Sequence, residues 1–363
     1  MSVNVFPSKT GLPVFYRSYS RRKNNGDRED WKEICDRTIG GIKELGQLTD
    51  WEADLLYEMQ VSFKTLSSGR WLWVGGTEWI GRQENFSGAY NCSSTNITGW
   101  ESFGLLMDLA MMGCGTGAVL LPRDLEKLPV VKHELNVFVG KELGTVAKSD
   151  RLERTKVKYH PDATVDIWVG DSRQGWVESY QKLLEISSDE TFTDKIVTIF
   201  IHLENVRLSG ERLEGFGGVA NPVKLPQMYG KVAKILNKAK GRKITSLEAC
   251  LLIDEAMVCI VAGNIRRSAG MRQGDSEDSV FNGAKDNLWQ KGEDDKWRID
   301  PERDALRMSN HTRVFCRKPT REEMIEAVRK QFYSGENAIQ WAGETLARAN
   351  ADLLNSDRSK QLF

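Results

Sequence analysis

The stretch Met111-Met112-Gly113-Cys114-Gly115-Thr116-Gly117-Ala118-Val119-Leu120-Leu121 decides how this chain folds. Ahead of it, apolar residues recur at 103, 106, 107, 110 and 111, the spacing of one helix face. Gly113 to Gly117 then interrupts that helix, and Ala118 to Leu121 is an unbroken apolar run suited to a buried strand. Upstream, Tyr90-Asn91-Cys92 lies in a segment, 89–94, that reads as a short strand carrying Cys92. Downstream, strand and helix patterns keep alternating. An α/β body behind a helical N-terminal region follows from that alternation.

Working outward, residues 30–45 and 50–67 show helical spacing, with Asp50 as an N-cap and Ser68-Gly69 as a stop. Residues 155–159 and 165–169 read as strands around a Pro161-Asp162 turn. Helices are expected over 172–186, 245–261, 319–332 and 341–354, and a strand over 195–202. Thr245 and Glu248 have capping-box spacing. The polar runs 274–278 and 292–296 read as surface loops. The domain expectation is a helical region over 1–85 and a single α/β body over 86–363.

At 363 residues the chain can bury a large core. Fifty-one basic residues balance fifty-one acidic ones, so no overall field points to direct nucleic-acid binding or to an anionic membrane. No window holds the ~20 apolar residues of a membrane helix, and residues 1–10 lack a signal-peptide core. The expected location is the cytoplasm. Six cysteines without a Cys-x-x-Cys pair argue against a zinc ribbon or a disulfide scaffold, and four scattered histidines suggest no metal cluster.

Three segments could carry chemistry. Cys92 is the first, although a buried cysteine is more often an inert small hydrophobe than a redox thiol. Gly113 to Gly117 is the second: glycines let backbone approach a ligand, and successive N–H groups can cradle an anion. Taken alone, it reads as a tight helix-to-strand turn. The third is Ala262-Gly263-Asn264-Ile265-Arg266-Arg267-Ser268-Ala269, where two arginines follow a helix stop. Arginine forks suit phosphate oxygens and base edges, but they also suit a helix C-terminus. Glu214 to Pro222 and Asp171 to Trp176 add two more loops of this kind, and four in one α/β body suggest a nucleotide site.

The order of these segments resembles monomeric class II, adenosylcobalamin-dependent ribonucleotide reductases. Phe15 to Arg21 with Trp31, Ser68-Gly69-Arg70 with Leu72-Trp73, Asn91-Cys92, the glycine stretch, Asp171 to Trp176, Gly215 to Gly218 and Gly263 to Ala269 carry the resemblance, which spans about residues 14–354. It implies a helical N-terminal region plus the first half of a ten-stranded α/β barrel. It further implies reduction of ribonucleoside triphosphates to 2′-deoxyribonucleotides by radical chemistry, with adenosylcobalamin as cofactor.

Carried over residue by residue, Cys92 matches the first of two redox cysteines, and Asn91, Cys114 and Gly115 match substrate-lining positions. Gly263, Asn264, Arg266 and Arg267 match the loop linking a deoxynucleotide effector to base choice, with 209–221 near the same effector. The implied reductant is thioredoxin-like. The family's Asn-Pro-Cys-Gly-Glu radical segment does not occur in the sequence, and Cys114 stands where many members have glycine. The expectation is therefore an N-terminal portion that does not turn over unaided, completed by its own continuation or by a second chain. The alternatives are a non-catalytic deoxynucleotide-binding remnant, or a class I-type large subunit served by a separate radical-generating protein.

Overall fold

A computed structural model describes residues 6–23, 25–193, 196–211, 220–262, 265–266 and 269–348, with the side chains of 261, 262, 265 and 266 outside the description. Close contacts divide the chain after Asn91. The first unit is helical: α1 (Gly11–Ser18), α2 (Trp31–Gly46), α3 (Asp50–Val61), α4 (Gly69–Val74) and α5 (Glu78–Gly81). Its core joins Phe15, Trp31, Ile34, Cys35 and Leu72, with Phe63 stacked on Trp31 at 4.7 Å.

The caps follow local chemistry. Asp30 and Glu33 form a capping box on α2. On α3 the capping residue is Thr49, paired with Glu52, and not the expected Asp50. A hydroxyl followed three residues later by a glutamate satisfies two end donors at once, so Asp50 is left inside the first turn. Ser68 likewise does not end α3, which stops at Val61; its hydroxyl accepts from Trp71 N and starts α4.

The second unit runs β1 (Cys92–Asn96), α6 (Trp100–Met111), β2 (Gly115–Leu120), α7 (Pro122–Leu125) and β3 (Glu134–Val139). It continues with β4 (Lys156–Tyr159), β5 (Thr164–Trp168), α8 (Arg173–Ile186), β6 (Ile196–His202), α9 (Leu225–Lys238) and α10 (Ser246–Cys259). Next come β7 (Val261–Ala262), β8 (Ile265–Arg266), β9 (Gly270–Asp275), α11 (Ser279–Asn282), β10 (Trp289–Lys291) and β11 (Trp297–Ile299). The last described elements are β12 (Ser309–Phe315), α12 (Arg321–Ser334), β13 (Ala338–Trp341) and α13 (Ala342–Arg348).

Two sheets organise this unit. One has the order β1-β2-β9-β12-β13, parallel throughout. The other has the order β3-β6-β5-β4, parallel except for the β4–β5 hairpin, whose turn places Ala163 at φ +56°. Helices lie between the sheets: α6 against β1, β2 and α8, and α9 against β3 and α10. This explains α10, whose residues are buried on nearly every side and whose sequence is apolar all round. Its capping box joins Thr245 and Glu248, as the spacing predicts.

The expected loop over 274–278 begins two residues late, because Gly274 and Asp275 complete β9, paired with Arg313 and Val314. Likewise Gly113 to Gly117 is only half a turn. Gly113 reverses the chain at φ +73°, and Gly115 already pairs in β2.

Candidate active site

Side chains alternate between the two faces of a strand, so register sorts the parallel sheet into two faces, one packed on the helices and one open around Cys92. Thr116, Ala118, Leu120, Arg272, Ser309 and His311 share one face, and all are buried on the helix side. On the other face, Cys92, Ser94, Met271 and Asn310 are exposed. Cys92 opens β1 and is directly opposite Gly115, the first residue of β2. Gly115 has no side chain to cover its partner, and Cys92 is a free, exposed thiol at the sheet's N-terminal end.

The structure thus brings Cys92 and Gly115 together. Cys114 is fully buried; its amide donates to Leu109 O (3.0 Å) and its Sγ lies 3.6 Å from Gly115 O. Only its backbone is in position to line a ligand on the Cys92 side. Asn91 belongs to the first unit, where its Oδ1 accepts from Arg70 Nε (3.0 Å). Arg266 lies in β8, opposite Val261, with its side chain outside the description. Gly263, Asn264 and Arg267 lie outside the described residues, as do 212–219 of the other expected effector loop.

The remaining thiols are a different population. Burial pushes Cys35 up to about 11 and Cys259 up to about 12, and raises Cys250 further still. Such thiols stay protonated and unreactive near neutral pH. Cys316 is exposed beside Asp275, 3.6 Å away, and its ionisation is pushed up by partial burial and by that carboxylate.

A second polar centre sits at the head of α8. Ser172 caps the helix, accepting from Gly175 N (2.9 Å), which frees Asp171 for another task. Arg207 donates to Asp171 through its backbone N (2.9 Å) and Nε (2.8 Å), and Arg151 Nη1 donates to the other carboxylate oxygen (3.1 Å). Arg151 also forks onto Glu211 at 2.9 and 3.0 Å, and that hydrogen bond holds the Glu211 carboxyl below the ordinary range. Two guanidinium groups are thereby gathered beside a helix N-terminus. The sequence marks Asp171 as a possible cap but does not assign its arginines, which are 20 and 36 residues away.

Comparison with known proteins bears on the family. Residues 2–77 match the ribonucleotide reductase alpha domain, and residues 134–236 match the insertion domain of B12-dependent ribonucleotide reductase. The latter span contains the β3-β6-β5-β4 sheet. A protein of Mycobacterium phage D29, named as a putative adenosylcobalamin-dependent ribonucleoside-triphosphate reductase, is 31% identical over 287 residues. That alignment covers 72% of this chain and 39% of the phage protein. The reductase of Lactobacillus helveticus is 26% identical over 314 residues, covering 75% of this chain and 42% of its own. The crystal structure of a B12-dependent class II ribonucleotide reductase superposes with a TM-score of 0.67 at 22% identity, covering 85% of this chain and 46% of that one.

The chain matches the N-terminal portion of a class II ribonucleotide reductase. It spans less than half the length of these relatives. The five parallel strands form a half-barrel of the reductase type, and Cys92 opens its first strand. Among the described residues no helix is long and apolar enough to cross a membrane.

Proposed function

We propose that this chain is the N-terminal portion of an adenosylcobalamin-dependent ribonucleoside-triphosphate reductase in which Cys92 is one of two thiols that deliver the reducing electrons. The observation that carries this reading is the exposed thiol at the start of the first parallel strand, facing the uncovered side of the half-barrel opposite a side-chain-free Gly115. Ribonucleotide and dithiol give deoxyribonucleotide, water and a disulfide. The 2′ hydroxyl leaves as water, and the two thiols surrender two electrons and two protons as their sulfurs bond. A thioredoxin-like dithiol then restores them by exchange. The backbone of Cys114 and Gly115, beside Cys92, is the proposed substrate-lining surface.

Adenosylcobalamin, the cofactor in the relatives' names, would supply the radical chemistry when bound. Among the described residues no group of His, Cys, Asp or Glu side chains is gathered as for a metal ion. What this chain contributes is the thiol and the surface around it.

The test is reconstitution. Joined to the C-terminal half of a class II reductase, with cofactor and dithiol present, the chain is expected to reduce a ribonucleoside triphosphate, and the unaided chain is not. Cys92→Ser abolishes turnover, whereas Cys316→Ser retains it. Turnover by the Cys92→Ser assembly overturns the assignment.

A second role rests on the Arg151–Asp171–Arg207–Glu211 centre. Paired guanidinium groups beside the α8 N-terminus suit the phosphates of a deoxynucleotide effector. Binding there requires no catalysis, so it also serves the reading of a nucleotide-sensing module. Calorimetry with deoxynucleoside triphosphates is expected to show binding by the chain alone.

A further inference from the structure

On the helix-covered face of the half-barrel, the face opposite the one that bears Cys92, lies a fully buried ion pair that the proposed chemistry does not use. Arg272 of β9 donates from Nη2 to Asp254 Oδ1 on α10 (2.6 Å), and neither side chain is exposed at all. The guanidinium also donates from Nη1 to Thr116 O in β2 (3.2 Å) and to Met271 O (3.0 Å). Ser309 of β12 donates to the second oxygen of Asp254 (2.8 Å). One helix side chain is thus tied to three adjacent strands at their N-terminal ends.

Gly270 makes this possible. A Cβ there would lie 2.9 Å from Ser309 Cβ and 3.0 Å from Arg272 Nη2, so only glycine lets the guanidinium lie across the strand. The tethered carbonyl is critically placed. Thr116 follows Gly115, and Gly115 is the register partner of Cys92. The tether's other end is on α10, which ends at Cys259, two residues before β7.

We infer that Arg272 and Asp254 are positioning residues: they fix the Thr116 carbonyl, and through it the Gly115–Cys92 pairing, to helix α10. The inference rests on Cys92 being the working thiol of the proposed function. A buried ion pair is by itself weak evidence of stabilisation, because desolvation offsets the attraction. What an apolar pair of equal size cannot supply is a hydrogen bond to a chosen carbonyl.

The experiment compares folded variants of the full chain. Asp254→Leu/Arg272→Met removes both charges together, and such replacements of buried pairs are often neutral or stabilising. Arg272→Lys keeps a cation for Asp254 but loses the fork that reaches Thr116 O. Amide hydrogen exchange of Thr116 and Gly117 is expected to accelerate at least tenfold in both, with β5 and β6 unchanged. The rate constant of Cys92 with a small aromatic disulfide is expected to change at least threefold, while that of exposed Cys316 stays constant. If the double variant fails to fold, Ser309→Ala, which leaves the ion pair in place, is expected to show a smaller effect of the same sign. Unchanged β2 exchange and an unchanged Cys92 rate in Arg272→Lys and Ser309→Ala overturn the proposal. Should Cys92→Ser prove active in the reconstituted reductase, the exchange result still reports on the tether, so the two readings fail separately.

Discussion

His311 offers the sharpest test of the buried polar layer. It lies in β12 at 2% exposure, its ring stacked on Phe281 with centroids 4.9 Å apart, and neither ring nitrogen has a hydrogen-bond partner. Burial, reinforced by the charges of Lys285 and Arg272, pulls its ionisation down to about 3. In the unfolded chain an imidazole titrates near about 6.5. The fold therefore favours the neutral ring, and the unfolded chain binds a proton that the native state refuses. Its contribution is complete above about pH 6.5 and drains away as pH falls from there toward about 3. Each unit costs about 1.4 kcal/mol, so acidification to about pH 5 should remove about 2 kcal/mol. His311→Phe keeps a ring against Phe281 and removes the titration. Urea unfolding followed by circular dichroism, at pH 7 and at pH 5, reads the difference. The parent should lose about 2 kcal/mol more than the variant over that interval. Equal losses would mean that the ring finds a proton acceptor or water in the fold, and the reasoning would be wrong. An overall offset between the two proteins would not matter, because only the slope is at issue.

Thiol counting should separate the cysteines. In the native chain Cys92 and Cys316 react with an aromatic disulfide, and Cys35, Cys114, Cys250 and Cys259 react only after unfolding; three or more fast thiols would contradict the burial. Arg207→Ala should abolish the stabilisation of the second unit by deoxynucleoside triphosphates in a thermal-shift assay, because Asp171 loses one of the two guanidinium groups it gathers; an undiminished shift places the effector elsewhere. Partial burial alone would raise the Asp166 carboxyl, but hydrogen bonds from His202 (2.6 Å) and His160 (2.7 Å) outweigh it and hold the group below the ordinary range. That stabilisation is present above the unfolded carboxylate value of about 3.9 and lost as pH falls below it. Asp166→Asn should therefore flatten the acid limb of urea unfolding, and an acid limb as steep as the parent's would remove the linkage.

Much of the architecture is legible because its residues obey local rules. Helices α2, α6, α8 and α10 are visible from apolar spacing and caps, and β5 and β6 from their β-branched residues. Cys92 is legible as a candidate, but its partner is not: that Gly115 faces it is a fact of register between strands 23 residues apart, which no local pattern carries. The Arg151–Asp171–Arg207 centre escapes sequence reading for the same reason.

Strands β9 and β12 escape it for a different and more informative reason. Gly270 to Asp275 and Ser309 to Phe315 look polar, yet both lie in the middle of the half-barrel sheet. Pattern reading assumes that positions facing the core are apolar. Here the core-facing positions are Arg272, Ser309 and His311, each buried. The hydrophobic alternation is replaced by an ion pair, a hydroxyl and a neutral imidazole, whose cost is offset only where partners meet them. A sheet that needed only stability would use branched aliphatic residues at those sites, as β5 and β6 do with Val165, Ile167, Val197, Ile199 and Ile201. Sites that break a local rule in this way are where function or strain is expected. That the violations gather in β9 and β12, with Arg272 reaching the Thr116 carbonyl of β2, the strand that pairs with that of Cys92, and are absent from the core-facing side of β5 and β6, is the reason for assigning this polar layer a positioning role.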